Sequence, residues 1–347
     1  MHRRLFLKDS AVGAGAALAA GFGVGSAKGQ QSANSTAGGY NPPADAIGRP
    51  VRIVSLGFDS HRSLESVVTM VDKEGSAGAD VIILPETCRG LNDTSGETLD
   101  GRTVSAMARL ARKHRTYIVC PIDRRIGDQR FNTAMLLDRS GNVVFMYDKI
   151  YPVWQQECVL TPPVTPGKSA SVYQADFGRV GFAICFDVNW GGLWEQMSNQ
   201  EAELVIWPSA YSAGRSLQAR ATEYNYYIVS ATKIPDCHVF DLDGEELIYH
   251  HNNQNDGSNI TRVTLDLDRT IFHQDLNLPK RDKLLKEHGD DIAQDKWLSL
   301  EGWFVLKAKR PGVSCRELAR QYGLEDLRHY INRSQCEIDK CRGWEFS

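Results

Sequence analysis

Hydrophobic and polar positions alternate at two periods along the chain, and the switches between them outline its elements. Residues 51–58 are rich in β-branched side chains and read as a strand, whereas Leu64, Val67, Val68 and Val71 recur at helical spacing within 61–76. The apolar run 80–84 is a second strand, ending at Pro85-Glu86. Residues 103–114 carry Met107, Leu110 and Ala111 on one helical face, and 117–122 form the next strand. Two hairpins follow: 133–137 with 143–147 across Asp138-Arg139-Ser140-Gly141, and 171–176 with 180–184 across Phe177-Gly178-Arg179. Helices around 193–199 and 217–224 alternate with strands at 204–207 and 227–231. A hairpin at 239–242 and 246–249 turns on Asp243-Gly244, and 260–267 is the last clear strand. From Pro279 the pattern is mainly helical and polar, with Leu318, Tyr322 and Leu327 spaced along 315–331. Alternating β and α segments with interspersed hairpins predict an α/β protein of layered sheets and outer helices.

The first 49 residues stand apart. Arg3-Arg4 precede Leu5-Phe6-Leu7-Lys8, and a weakly apolar Ala/Gly-rich stretch runs over 11–25. This is the pattern of a twin-arginine export signal over residues 1–27, with Gly25-Ser26-Ala27 as a small-residue cleavage site or, uncleaved, a membrane anchor. It predicts an exported, periplasmic or extracytoplasmic protein and the twin-arginine machinery as a partner. Residues 28–49, rich in Gly, Ser, Ala, Asn and Pro, read as a linker. The expected organisation is then a catalytic domain over 50–278 and a helical extension over 279–347.

With 347 residues, 42% hydrophobic, 24% charged and a net charge of −3, the composition is that of an ordinary globular enzyme and argues against a nucleic-acid partner. Eight cysteines are too few for a disulfide scaffold in a chain this long, although a pair among Cys315, Cys336 and Cys341 is a candidate for oxidation after export. The nine histidines form no evident metal-ligand set, and His250-His251 reads as solvated.

Three reactive side chains share one kind of position. Glu86, Lys149 and Cys185 each follow an apolar strand-like run, where α/β proteins open their sites. A thiol needs activation to attack a carbonyl. A carboxylate can take its proton, while an ammonium and the peptide N–H of Phe186 can stabilise an oxyanion. Each residue also fits a plainer role: a packed core cysteine, a surface-turn glutamate, a solvated Asp148-Lys149 pair.

The surrounding segments bear on that choice. Ile83-Leu84-Pro85-Glu86, Tyr147-Asp148-Lys149-Ile150-Tyr151-Pro152 and Gly181-Phe182-Ala183-Ile184-Cys185-Phe186-Asp187 resemble, in order, the three signature segments of the nitrilase-like (carbon–nitrogen hydrolase) superfamily. Gly178–Gly181, Ala202–Ala210 and Ala221–Asn225 extend the likeness over roughly residues 50–270. The resemblance implies a four-layer α-β-β-α sandwich, a glutamate base at Glu86, a lysine at Lys149 and a cysteine nucleophile at Cys185. It also implies a second glutamate, for which Glu157 in Trp154-Gln155-Gln156-Glu157 is the match. The implied activity is cofactor-free hydrolysis of a linear amide or N-carbamoyl compound through a cysteine thioester, by a homodimer or larger homo-oligomer. Nitrile hydrolysis, acyl transfer to an amine and a non-catalytic binding role are the alternatives.

Two departures matter. After Cys185, Asn189-Trp190-Gly191-Gly192 replaces the aromatic-Pro-Glu segment of many members, and the Cys-Trp-Glu pattern of nitrilases is missing, which favours amide over nitrile substrates. For the pocket wall, Tyr151, Trp154, Asp187, Trp190 and Tyr211 are the expected substrate-binding residues. Cys88 and Cys158, close in sequence to Glu86 and Glu157, are candidates to approach Cys185.

Overall fold

The structure, a computed structural model, describes residues 43–343 apart from Asp93. The expected export signal and the first part of the linker, up to residue 42, lie outside the described residues. Two six-stranded sheets carry the architecture. The first has the order β12 (Asn259–Asp266), β1 (Pro50–Gly57), β2 (Val81–Ile83), β3 (Tyr117–Ile126), β4 (Gln129–Leu137) and β5 (Val143–Asp148). The second runs β11 (Glu246–His251), β10 (Asp236–Phe240), β9 (Tyr227–Thr232), β8 (Leu204–Ser209), β7 (Arg179–Phe182) and β6 (Val172–Gln174). At the centre of each sheet three neighbouring strands are parallel: β1, β2 and β3 in one, β7, β8 and β9 in the other.

Helices α1 (Leu64–Ser76) and α2 (Arg102–His114) cover the outer face of the first sheet; α3 (Gly191–Asn199) and α4 (Gly214–Tyr224) cover the second. Period-two alternation sorts the strand residues between layers. Ile83, Val119 and Leu136 face inward and meet Phe182, Ile206 and Val229 of the opposite sheet. Ile82, Ile118 and Met135 face outward onto Val67 and Met107. The Ser55 hydroxyl crosses the interior to donate to the Ser230 carbonyl at 2.6 Å. Local signals set the helix starts: Ser63 Oγ accepts from the Ser66 N–H, a cap worth about 1 kcal/mol.

The C-terminal part only partly matches its expectation. Helices α5 (Leu278–His288), α6 (Cys315–Gln321) and α7 (Leu327–Cys341) are present, but β14 (Ile292–Leu298) and β15 (Trp303–Ala308) lie between them. They join β13 (Thr270–His273) in a third sheet, ordered β13-β15-β14. Residue 278 is therefore not a structural boundary: α5 begins there, and β13, before it, pairs with β15, after it. The single helical run read over 315–331 is two helices, parted at Gly323, which has φ +68°.

Ion pairs tie this extension to the sandwich. Lys296 Nζ on β14 donates to Asp241 (2.6 Å), Asp243 (2.7 Å) and Glu245 (2.6 Å) in the β10–β11 turn, so these converging carboxylates hold an ammonium. Arg269 spans Asp241 and Asp295. Arg328 on α7 donates to the Ser198 and Tyr224 carbonyls at 2.9 and 2.6 Å. The end of the expected linker is likewise anchored, with the Arg49 N–H donating to Asp266 at 2.7 Å. All eight cysteines are free. Cys315 is buried, and Cys336 and Cys341 are exposed, five residues apart on α7 and so on different faces of it.

Candidate active site

Strand ends of both sheets open on the same interior space and deliver the reactive groups. Glu86 follows β2, Lys149 follows β5, and Cys185 follows β7. Lys149 is held in place by its own backbone, its N–H donating to the Asn132 carbonyl of β4 at 2.9 Å and its carbonyl accepting from Gly167 at 2.8 Å. Its ammonium, almost wholly buried, donates to Glu86 Oε1 at 2.9 Å and to Glu157 Oε2 at 2.6 Å. Glu157 Oε2 also accepts from the Val153 N–H at 2.7 Å.

Asn132, which no sequence feature singled out, completes this arrangement. Its Nδ2 donates to Glu86 Oε1 and to Glu157 Oε1, both at 2.7 Å. The two carboxylates are thus bridged twice, once by an ammonium and once by an amide. The signal available was only an asparagine in the polar first half of a strand, a weak one beside the turn asparagines elsewhere.

Cys185 opens a short 3₁₀ turn, Cys185–Asn189, with φ +47°. A non-glycine residue in the left-handed region is strained, and it persists where surrounding bonds over-determine it. Those bonds are present. The Asp187 carboxylate, fully buried, accepts from the Ile184 N–H (2.9 Å), the Tyr151 N–H (2.9 Å) and the Tyr147 hydroxyl (2.7 Å). Trp207 Nε1 donates to the Cys185 carbonyl and Trp194 Nε1 to that of Asp187, both at 3.1 Å. Asp187 was expected to line the pocket. Instead its oxygens are taken up by the Ile184 N–H just before the Cys185 turn and by Tyr147 and Tyr151 at the end of β5, and it braces that turn.

The charges follow from burial and pairing. Burial works to raise the Glu86 pKa, but the Lys149 and Lys233 ammoniums, then the hydrogen bonds from Lys149 and Asn132, outweigh it and hold Glu86 ionised below the usual carboxylate range. Burial opposes the Lys149 charge as well, and Glu86, Cys185 and Glu157 overcome it, so Lys149 stays protonated. Cys185 is pushed up to about 12 by burial and then by Glu86, with Lys149, the Ala210 N–H and the Ser209 hydroxyl acting the other way. At rest the site holds a thiol, two buried glutamates and one ammonium. Asp187 is pushed up to about 6, burial outweighing its three donors.

The aromatic residues divide. Tyr151 stacks on Trp190 with centroids 4.0 Å apart, and Phe186 meets Trp190 edge-on at 4.9 Å, forming a wall beside the Cys185 turn. Tyr211 packs edge-on against Trp207, and burial is the main cause that pushes its hydroxyl up to about 12. Trp154 is 74% exposed and has no aromatic partner among the described residues, so it is not part of this wall. Cys88 does not turn toward Cys185. It is buried with Cys120 on the outer face of the first sheet, whereas Cys185 belongs to the inter-sheet core. A cavity of about 960 Å³ lies elsewhere, between the sandwich and the extension, and none of the expected site residues lines it.

Asp187→Asn tests the positioning role. An amide NH₂ would oppose one of three donors, two of them backbone N–H groups that cannot turn away. The variant is expected to lose about 1–3 kcal/mol of stability. In the wild type, Asp187 binds its proton more readily folded than unfolded, so between about pH 6 and the ordinary aspartate range its contribution rises as pH falls. Urea unfolding across that range should show this component in the wild type and lack it in Asp187→Asn.

Known proteins agree with this architecture. The model of the family described as carbon-nitrogen hydrolase matches residues 55–270. The nitrilase and fragile histidine triad fusion protein of Drosophila melanogaster is 28% identical over 195 residues, covering 51% of this chain and 42% of that protein. A deaminated glutathione amidase of Synechocystis is 26% identical over 205 residues, covering 51% and 73%. An omega-amidase of Danio rerio is 23% identical over 189 residues, covering 48% and 67%. The chain spans about half the length of the first curated relatives it matches, 42% and 52%. Among solved structures, an amidase from Nesterenkonia superposes with a TM-score of 0.55 at 20% identity, covering 64% of this chain and 91% of that one. Saccharomyces cerevisiae Nit3, of the nitrilase superfamily, gives 0.54 at 17%, covering 63% and 91%. These structures share the fold, the family match covers well over half the chain, and the chain belongs to the carbon–nitrogen hydrolase family.

Proposed function

We propose that this protein hydrolyses the C–N bond of a linear amide or N-carbamoyl compound through a thioester on Cys185. The observation that carries the reading is the Lys149 ammonium bridging Glu86 and Glu157 in the space onto which the Cys185 turn opens. Cys185 Sγ attacks the carbonyl carbon as Glu86 takes the thiol proton. A thiol at about 12 beside an ionised carboxylate does not ionise in advance, so proton transfer accompanies attack. The Lys149 ammonium and the Phe186 peptide N–H stabilise the oxyanion. Glu86 passes the proton to the departing nitrogen, the C–N bond breaks, and ammonia or an amine leaves. Water then gives a proton to Glu86 and attacks the thioester; the acid is released and the thiol regains its proton. Glu157 and Asn132 keep Lys149 and Glu86 in register throughout. The omega-amidase and glutathione-amidase relatives support amides over nitriles.

The test is a panel of aliphatic amides, ω-amides, N-carbamoyl amines and nitriles, reading ammonia and free amine, for wild type beside Cys185→Ala. Loss of turnover by roughly three or more orders of magnitude in the variant is expected. Turnover that survives the substitution would remove the thioester mechanism.

A further inference from the structure

Buried Lys149 and half-buried Lys296 are matched by carboxylates. Lys149 has two, and Lys296 has three. Lys233 differs. It directly follows β9, and its N–H donates to the Ser209 carbonyl of the neighbouring β8 at 3.0 Å. The parallel strands β7, β8 and β9 therefore end side by side, in Cys185, in Ser209-Ala210-Tyr211 and in Lys233. Across the sandwich, Lys233 Nζ donates to the Thr87 hydroxyl at 2.7 Å, one residue beyond Glu86. Thr87 itself sits at φ +35°, a strained conformation that aims this segment at the site.

The ammonium is half-buried, and among the described residues no carboxylate lies within ion-pair distance of it. Glu86 feels its charge, second only to that of Lys149 among the cations acting there. A partly desolvated ammonium held by one neutral hydroxyl retains two donors for an anion. Lys233 adds a second ammonium beside the Glu86–Lys149 pair. With it, one rim of the site is cationic.

We propose that Lys233 binds a carboxylate on the substrate, so that the site takes linear amides bearing an anionic group a few carbons from the scissile carbonyl. This rests on the hydrolase reading for the identity of the reacting group, but the binding of the anion can be measured without turnover. An amide whose carboxylate meets Lys233 would present its carbonyl between Cys185 and Lys149, because Lys233 and Cys185 end strands of one sheet separated only by β8. Lys233 is a specificity residue here, distinct from the groups that move protons.

The experiment compares malonamate, succinamate and glutaramate with butyramide, a neutral amide. The specificity ratio in kcat/KM, anionic over neutral, is expected to fall roughly 10- to 100-fold in Lys233→Met for the best-fitting acid, chiefly through KM, and to recover in part in Lys233→Arg. A ratio unchanged by Lys233→Met, with both substrates losing rate alike, would show that Lys233 acts only through Glu86 and would overturn the assignment. Calorimetric binding of the same ligands to Cys185→Ala and to Cys185→Ala with Lys233→Met separates the two readings. Lys233-dependent binding of the acids by a protein whose wild type hydrolyses nothing upholds the anion site and removes the hydrolase. Hydrolysis with no Lys233-dependent preference does the reverse, and absence of preference in both assays also overturns the anion site.

Discussion

Lys149→Met is expected to abolish turnover and to lower the stability of the fold by about 3–5 kcal/mol, the usual loss when one partner of a buried ion pair is removed. The reason is specific to this site. Glu86 and Glu157 both depend on the Lys149 ammonium, and without it the one remaining bridge between them is Asn132 Nδ2. Without that ammonium, burial would dominate at Glu86, so its pKa would rise on folding instead of being held down. The folded variant then binds protons more readily than its unfolded chain, and its deficit relative to wild type shrinks as pH falls. Urea titrations of both proteins at pH 5 and pH 8 would show this as a smaller stability difference at pH 5. A difference that grew toward pH 5 would mean that the carboxylates are not held by Lys149.

The second large effect is expected at Glu86, the proposed base. Glu86→Gln should reduce kcat by about 10²–10⁴, the range supplied by a positioned proton acceptor. An amide oxygen can still accept from Lys149 and Asn132 at the position of Oε1, so the fold and substrate affinity should change much less than the rate. The pH profile identifies the group. With its pKa depressed, Glu86 is ionised above the ordinary carboxylate range, and activity should fall only as pH drops through that lowered value. The same depression adds stability that is fully present above the unfolded glutamate pKa and lost as pH falls below it. In Glu86→Gln the acid limb of kcat/KM should disappear. An acid limb that persists unchanged would assign it to a different residue.

Much of this site is written in short segments of sequence. Glu86, Lys149 and Cys185 end apolar runs with a strand period, and the runs became β2, β5 and β7. Glu157 required the family resemblance, since a glutamate in a loop carries no pattern of its own. Asn132 and Lys233 stayed hidden for a related reason. Their importance lies in what faces them from segments 25 to 146 residues away, a distance that periodicity does not span. Asp187 was misread because it lies two positions from Cys185; closeness in sequence suggested the pocket, while the 3₁₀ turn sends its carboxylate back into the chain. The missed strand β14 has a physical cause. Asp295 and Lys296 within it pair with Arg269 and Asp241, so a strand stabilised by ion pairs presents the polar composition of a helix surface.

In the proposed mechanism the nucleophile and its proton acceptor belong to different sheets. Glu86, Asn132 and Lys149 ride on the first and Cys185 on the second, and the side chains of the inter-sheet core set the gap between them. Interior packing is dense and yields little to volume changes. The thickness of that apolar layer is therefore a catalytic dimension of the enzyme. Residues such as Phe182, Val119 and Leu136, buried in that layer, would act as spacers of the reacting atoms, and drift in their volumes would retune rate while the fold persists.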